Sequence, residues 1–265
     1  MDIDGSSMSL LEAIILGLIQ GLSEFLPVSS SGHLLLFHEI FGITAEDNLT
    51  FIITLNMGSL LPLLFVFRKD VWALAKKPFQ KTVALLIVAT LPLVIVTLLF
   101  EGLIESMFYT VQFLPVGFII TGLALLLSDK LTKNDKDISE IKFIDAALVG
   151  LAQAFAVFPG ISRSGSTITA TMARGVNREA AAKFSFLMSI PAAIGAMTFR
   201  ISRIAADPAL AEGLNFTNLA AGFLTAALSG YLAINFMLAI VKKAKLKYFA
   251  LYYIFALVVL IVVLF

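Results

Sequence analysis

Long apolar runs dominate the chain, and its polar residues are concentrated in short segments between them. A helix that spans a membrane needs about 20 consecutive, mostly apolar residues. Six runs come close to this length, and they lie at about residues 51–67, 82–100, 111–128, 180–199, 216–241 and 247–265. The pattern therefore predicts six transmembrane helices.

Two further apolar segments are interrupted in the middle. Residues 10–42 are broken by the stretch LPVSSSGH, and residues 144–175 are broken by FPGISRSGST. Each half has about 10–15 residues, which is too short to cross a bilayer. We therefore expect two re-entrant helical hairpins. Their non-helical tips must be buried in protein or line a polar cavity, because lipid offers the backbone no hydrogen bonds.

Composition supports a membrane protein and excludes one class of chemistry. Of the 265 residues, 59% are hydrophobic and only 14% are charged. The absence of cysteine excludes disulfides and thiolate sites. The predicted fold class is an all-α polytopic membrane protein. Residues 1–265 are expected to form a single integral membrane domain, located in the cell membrane. We expect membrane lipids, and no nucleic acid, among its partners.

The basic residues predict the orientation of the chain. Four loops, at residues 68–81, 129–143, 174–183 and 242–247, hold 16 of the 19 lysines and arginines. Because basic loops favour the cytoplasm, these loops are expected inside and both termini on the outer face. The first hairpin then enters the membrane from outside, and the second enters from inside.

An internal repeat relates the two interrupted segments. A shift of 133 residues places GLIQGLSEFLPVSSSGH (17–33) on GLAQAFAVFPGISRSGS (150–166). We infer one repeat at about 10–128, a loop at about 129–143 and a second repeat at about 144–265. Each repeat has one hairpin and three spans, so the second copy is inverted. Inverted repeats with interrupted helices place their site near the midplane of the membrane.

Each tip has the composition of an anion-binding site. A helix begins after each tip, and helix N-termini bind anions through free N–H groups. Arg163 adds a guanidinium that suits phosphate oxygens. The candidate phosphate-binding residues are Ser29, Ser31, Gly32, Ser162, Ser164, Gly165, Ser166 and Thr167. Two such tips favour a lipid that carries a diphosphate.

Reactive groups are concentrated in the first tip. Glu24 lies one helical turn after Gln20, so both side chains share a helix face. Glu24 and His33 could perform acid–base catalysis, with a serine as nucleophile. Alternatively, Glu24 and Gln20 could hold a divalent cation through oxygen. The shift of 133 pairs Ser30 with Arg163, so the two copies would contribute different groups to one site.

The stretches QGLSEFLPVSSSGH and PGISRSGST resemble the two signature motifs of the undecaprenyl-diphosphatase family, the bacitracin-resistance phosphatases. The resemblance implies hydrolysis of undecaprenyl diphosphate to the monophosphate and inorganic phosphate, which recycles the lipid carrier for cell-wall synthesis and confers bacitracin resistance. It assigns catalytic roles to Glu24, Ser30, His33 and Arg163. Many members of that family have glutamate at the position of Gln20, so this chain lacks one anionic metal ligand.

The resemblance also implies a divalent cation, Mg²⁺ or Ca²⁺, an active site that opens to the outer face, and a capacity for homodimerisation. Ser30, a water molecule and His33 all stay open as the nucleophile. A rival hypothesis is a transporter or flippase for a phosphorylated polyprenyl lipid, since transporters use inverted repeats with broken helices. The Glu24 and His33 pair favours the enzyme, because a carrier needs no group that transfers protons.

Overall fold

The structure is a computed structural model that describes residues 8–43, 48–108, 110–128, 130–131, 134–207, 215–243 and 246–264. These residues form twelve α-helices and no β-strand. The helices are α1 (Leu10–Phe25), α2 (Ser30–Phe41), α3 (Asn48–Val66), α4 (Arg68–Lys76), α5 (Lys81–Leu99), α6 (Glu101–Met107), α7 (Leu114–Ser128), α8 (Phe143–Phe155), α9 (Arg163–Ala173), α10 (Arg178–Ala206), α11 (Phe216–Lys243) and α12 (Lys247–Leu264). The predicted position of the N-terminus concerns residues 1–7, which lie outside the described ranges.

Every predicted span corresponds to a helix, although the helices differ in length. Among the described residues, α5, α10 and α11 are long and apolar enough to cross a membrane. α3 qualifies together with α4, but the two are bent by 82° relative to each other. α7 and α12 are shorter apolar helices. Large apolar side chains such as Leu99, Leu228 and Val262 are exposed on the outside of the helix bundle, as expected of a surface that faces lipid. The predicted all-α polytopic membrane fold is confirmed.

Two short helices occupy segments for which the sequence predicted only loops. α4 lies in the basic segment 68–81, and α6 connects α5 to the segment before α7. α4 has no fully buried residue, but its Val71 and Leu74 pack against the main apolar core. The charge of residues 68–81 masked this helix, because the apolar residues on its inner face are few.

The helices follow the repeat of 133 residues. Three pairs of corresponding helices begin at positions that differ by this number: Leu10 and Phe143, Ser30 and Arg163, Leu114 and Lys247. Two helical hairpins, α1–α2 and α8–α9, open the two halves. No helix of either hairpin exceeds 16 residues, in agreement with the expected interruption of both segments.

The first helix of each hairpin packs against a helix of the other half of the same chain. α1 packs along α11 of the second half, and α8 packs along α5 of the first half. At the first contact, a Cβ atom on Gly17 would lie 2.5 Å from the carbonyl oxygen of Gly222. At the second, a Cβ atom on Gly150 would lie 2.7 Å from the carbonyl oxygen of Ala89. These pairs correspond under the shift of 133, and both rely on small residues for close approach of helix backbones.

Candidate active site

Both tips end in a serine that caps the following helix. The Ser29 hydroxyl accepts the backbone N–H of Gly32 at 3.3 Å. The Ser162 hydroxyl accepts the backbone N–H of Gly165 at 3.1 Å. These serines satisfy N–H groups that a helix start otherwise leaves free. The predicted phosphate-binding serines at these two positions therefore have a structural role in the tips themselves.

The backbone of the two tips differs at the capping residue. Ser29 has a φ of 67°, in the left-handed region that a non-glycine residue rarely adopts. Ser162 has an ordinary φ of −74°, and the left-handed position of the second tip is Gly160, with a φ of 87°. Ser29, the strained residue, directly precedes Ser30. Strained backbone conformations persist only where the surrounding structure enforces them.

The two tips touch each other. The Ser164 hydroxyl donates to the carbonyl oxygen of Leu26 at 3.0 Å. A Cβ atom on Gly32 would lie 3.1 Å from the Cα atom of Gly160. The tips predicted from the two interrupted segments are thus brought together at one place.

Glu24 is the centre of the polar groups at this meeting point. Its Oε1 atom accepts a hydrogen bond from the Arg163 guanidinium of the other half. Its Oε2 atom accepts from the Ser30 hydroxyl at 2.6 Å and from the Gln20 amide at 3.0 Å. The Glu24 side chain is 8% exposed, and the Arg163 side chain is 29% exposed. Three of the four predicted catalytic residues, Glu24, Ser30 and Arg163, therefore lie in direct contact.

Asn56 of α3 is a site residue that the sequence analysis missed. Its Oδ1 atom accepts from the Gln20 amide at 3.0 Å, and its own amide donates to the Ile52 carbonyl at 2.9 Å. Ser59 lies one turn further, 3.4 Å from the Gln20 amide nitrogen. The available signal was an amide within a predicted span, because polar residues in such spans are costly and often functional.

His33 lies apart from the cluster around Glu24. Its Nδ1 atom is 2.7 Å from the carbonyl oxygen of Ser29, and its Nε2 atom is 2.6 Å from the Tyr252 hydroxyl. A carbonyl can only accept, so Nδ1 carries the proton and the neutral ring accepts from Tyr252 through Nε2. The imidazole also stacks on the Tyr252 ring. His33 thus stabilises the strained Ser29 by a hydrogen bond to its carbonyl oxygen.

A cavity of about 740 Å³ opens beside Glu24. Ser30, Ser31, Ser162 and Arg163 line it, and its walls are otherwise mostly apolar side chains of α3, α5 and α10. It extends along α10 from Pro191 to Arg203, where Arg203 is paired with Glu101. Such a space suits a ligand with an anionic head and a long apolar chain.

The remaining predicted phosphate-binding residues do not line this cavity. Thr167 is fully buried and donates to the Arg163 carbonyl at 2.8 Å. Ser166 is half-buried in the first turn of α9. Gly165 packs against Thr121: a Cβ atom added to Gly165 would lie 3.2 Å from the Thr121 methyl carbon. Of the serines, Ser30, Ser31 and Ser162 reach the cavity, while Ser164 is buried at the contact between the tips.

A family model described as bacitracin resistance protein BacA matches residues 13–259, which is nearly the whole chain. The chain belongs to the BacA family. One relative, named undecaprenyl-diphosphatase, from Carboxydothermus hydrogenoformans, is 45% identical over 97% of this chain and 98% of its own length. Another of the same name, from Halothermothrix orenii, is 41% identical over 92% of this chain and 94% of its own.

The sequence predicted that Glu24 and Gln20 could hold a divalent cation through oxygen, and the family resemblance implied Mg²⁺ or Ca²⁺. The structure places the two side chains in contact, with Asn56 beside them. No group of three or more His, Cys, Asp or Glu residues suited to a metal occurs within the described part of the chain. However, the Gln20 Oε1 atom is buried without a hydrogen-bond partner. The amide nitrogen on the same group faces Glu24, Asn56 and Ser59. With the Gln20 amide turned over, so that its oxygen rather than its nitrogen faces Glu24 and Asn56, the three side chains would present oxygen ligands suited to Mg²⁺ or Ca²⁺.

Proposed function

We propose that this chain hydrolyses undecaprenyl diphosphate to undecaprenyl monophosphate and inorganic phosphate in the cell membrane, and so confers bacitracin resistance. Membership of the BacA family and the names of its relatives support this activity. The observation that carries the proposal is the contact of Glu24 with both Ser30 and Arg163 at the wall of a largely apolar cavity. These groups are a carboxylate, a hydroxyl and a phosphate-binding cation.

Arg163 and the start of α9 bind the diphosphate in this proposal. A guanidinium forms paired hydrogen bonds with phosphate oxygens, and the α9 N-terminus adds a favourable field. The apolar part of the cavity accommodates the isoprenoid chain next to the phosphates. Because Arg203 and Glu101 lie on the side predicted to face outward, the substrate reaches the site from the outer face.

Substrate binding activates Ser30. The negative terminal phosphate competes with Glu24 for the Arg163 guanidinium, and the carboxylate then becomes a better proton acceptor. Ser30 lies within hydrogen-bonding distance of Glu24, as a nucleophile and its base require. The Ser30 oxygen bonds to the terminal phosphorus and its proton passes to Glu24. The bond between phosphorus and the bridging oxygen breaks, and undecaprenyl monophosphate leaves.

Water then attacks the phosphorus of the phosphoserine, and both of its protons leave on the phosphate, which is released as H2PO4⁻. Glu24 returns a proton to the Ser30 oxygen as the phosphorus–oxygen bond breaks, and inorganic phosphate is released. Arg163 stabilises charge on the phosphoryl oxygens in both steps, and such electrostatic stabilisation is usually the largest contribution. A divalent cation, held by Gln20, Glu24 and Asn56, would supply further neutralisation of the diphosphate.

His33 acts in this proposal as a positioning residue. Its ring holds the Ser29 carbonyl, and Ser29 is the residue whose backbone orients Ser30. The imidazole does not line the cavity, so direct attack by His33 on phosphorus is not favoured by the geometry. Its role is to keep the first tip in the conformation that places the Ser30 hydroxyl on Glu24.

A phosphate-release assay tests the proposal. Purified protein in detergent is given a polyprenyl diphosphate, with and without divalent cation, and Glu24→Gln is run beside it. We expect release by the native chain and loss of release by the variant, which should still unfold cooperatively but at a lower temperature, because Arg163 loses its ion pair. Absence of release by native protein that moves the lipid across liposome membranes would instead support the carrier.

A further inference from the structure

α4 presents a basic and aromatic face that the proposed reaction does not use. At 100° per residue, Arg68, Lys69, Trp72 and Lys76 fall within one arc of about 100° on this helix. All four are exposed, and the Trp72 residue is 64% exposed. Val71 and Leu74, on the opposite face, pack against the protein core. We call the four exposed residues the α4 face.

α4 is oriented as a helix that lies along a membrane surface. It follows the apolar helix α3 with a bend of 82°. A helix that turns by nearly a right angle at the end of a span runs parallel to the bilayer plane. The apolar side of α4 is already covered by the protein core, so its exposed basic side is the one left to meet the lipid headgroups, the level at which tryptophan is enriched.

The charge of the α4 face is not balanced by its own acidic residue. Asp70 is the single acidic residue between positions 68 and 81, and it forms an ion pair of 2.7 Å with Lys183 of α10. Lys69 and Lys76 therefore keep their full attraction for external anions. Lys76 also lies 5.2 Å from the centre of the Trp72 ring, which holds a cation at the aromatic group.

We propose that the α4 face binds the phosphate headgroups of anionic phospholipids. The lysines neutralise the headgroup charge, and Trp72 inserts its ring at the boundary between headgroup and acyl chain. Phe79, which is fully exposed just after the helix, extends the apolar contact. This charge complementarity selects anionic over zwitterionic lipid, because each lysine near a bilayer surface favours an anionic one by about five-fold.

Trp72 is the sole tryptophan of the chain, so its fluorescence reports on this surface alone. The full chain is placed in nanodiscs of phosphatidylcholine that contain an equal fraction of either brominated phosphatidylglycerol or brominated phosphatidylcholine. We expect brominated phosphatidylglycerol to quench Trp72 more strongly at low salt. The difference should disappear at high salt, because exposed charges are screened.

Matched variants separate a local site from overall charge. Lys69→Gln with Lys76→Gln removes two charges of the α4 face and should abolish the preference for the anionic lipid. Lys130→Gln with Lys142→Gln removes two exposed lysines elsewhere and should leave it intact. Equal quenching by both lipids in the native chain, no quenching by either, or the same loss in both double variants would overturn the proposal.

Discussion

The first half of the chain, α1 to α7, and the second half, α8 to α12, share a scaffold but differ in chemistry. Both halves close a hairpin with a capping serine, Ser29 in one and Ser162 in the other. Both press a glycine of the first hairpin helix against the backbone of the other half. The shared positions are those that set the distances between helices.

The positions that differ are those to which the proposed reaction assigns chemistry. Ser30 corresponds to Arg163 under the shift of 133, and Glu24 corresponds to Val157, so only the first half has the carboxylate. The first half supplies the Ser30 hydroxyl and the second half supplies the Arg163 guanidinium. Glu24 accepts a hydrogen bond from each of them, one on each carboxylate oxygen. A duplicated scaffold can thus keep its packing while one reaction is divided between its copies. The predictions below test this division.

The largest change in rate is expected on substitution of Arg163, the residue that the second half contributes to the proposed site. Arg163→Ala should lower kcat by about 10²- to 10³-fold or more, since it removes stabilisation of the developing phosphoryl charge. Arg163→Lys keeps the charge but not the paired donors, so it should recover only part of the rate. Phosphate release by purified protein measures both. Near-native turnover of the alanine variant would show that the second half contributes no chemistry.

The proposed nucleophile of the first half, Ser30, is compared with a serine of the second half, Ser166. Ser30→Ala should lower phosphate release by about 10²- to 10⁴-fold, as expected when a nucleophile and its proton transfer are lost. Ser166→Ala should stay within about two-fold, because Ser166 does not line the cavity. A labelled phosphoenzyme should form with native protein and be absent from the Ser30 variant. Similar rates for the two variants would contradict the assignment.

Corresponding substitutions at the helix contacts of the two halves should destabilise the protein by similar amounts. Gly17→Val and Gly150→Val each place a side chain against backbone atoms that cannot move aside, so each should lower the free energy of unfolding by about 1–3 kcal/mol. Gly195→Val is the matched control, since no atom lies within 4 Å of a Cβ added there. Thermal unfolding in detergent measures the three variants. A stable Gly17 or Gly150 variant would argue against the paired contacts.

The positioning role of His33 predicts a smaller loss. Tyr252→Phe removes the donor to His33 Nε2 and, with a typical hydrogen-bond contribution of about 0.5–1.5 kcal/mol, should lower kcat by about 2- to 10-fold. His33 should keep its proton on Nδ1, because the Ser29 carbonyl still accepts it, while the nitrogen chemical shift of Nε2 changes with the loss of its donor and KM stays constant. Tyr253→Phe, at the neighbouring position, should change neither the Nε2 shift nor kcat. An unchanged Nε2 shift together with an unchanged kcat in Tyr252→Phe would remove this role.

The smallest change in rate is expected at Gln20. Gln20→Glu keeps the shape of the side chain and adds a second carboxylate beside Glu24, one turn away. Turnover should stay within several-fold, while Mg²⁺ or Ca²⁺ should bind more tightly because a charged oxygen ligand replaces an amide. Titration calorimetry and the cation dependence of phosphate release measure this. Complete inactivity, or unchanged cation affinity, would be the contrary result.

Local signals in the sequence were sufficient for most of the fold. Apolar length located the spans, and the interruptions at residues 26–29 and 156–162 marked where α1 and α8 end. The shift of 133 was visible because glycine and serine recur at fixed positions around each tip. The bend after Val66 was not visible, since a helix that lies along the membrane has too few apolar residues to produce a long run.

The candidate site was only partly predictable, because its contacts span long distances in the sequence. The meeting of Glu24 with Arg163 followed from the predicted inverted repeat. The contact of His33 with Tyr252 joins residues 219 positions apart, and no local pattern marks it. The sequence likewise does not distinguish a serine that caps a helix from one that lines a cavity. Ser29 and Ser30 are neighbours, yet only the second reaches the cavity.

The packing of the first hairpin helix against the other half has a consequence for synthesis of the chain. Gly17 and the segment of α11 that it contacts are separated by roughly 200 residues, which a ribosome needs about 10–40 s to translate. During this interval the narrow glycine surface of α1 has no native partner. The first half therefore completes its helix packing only after α11 of the second half has been made.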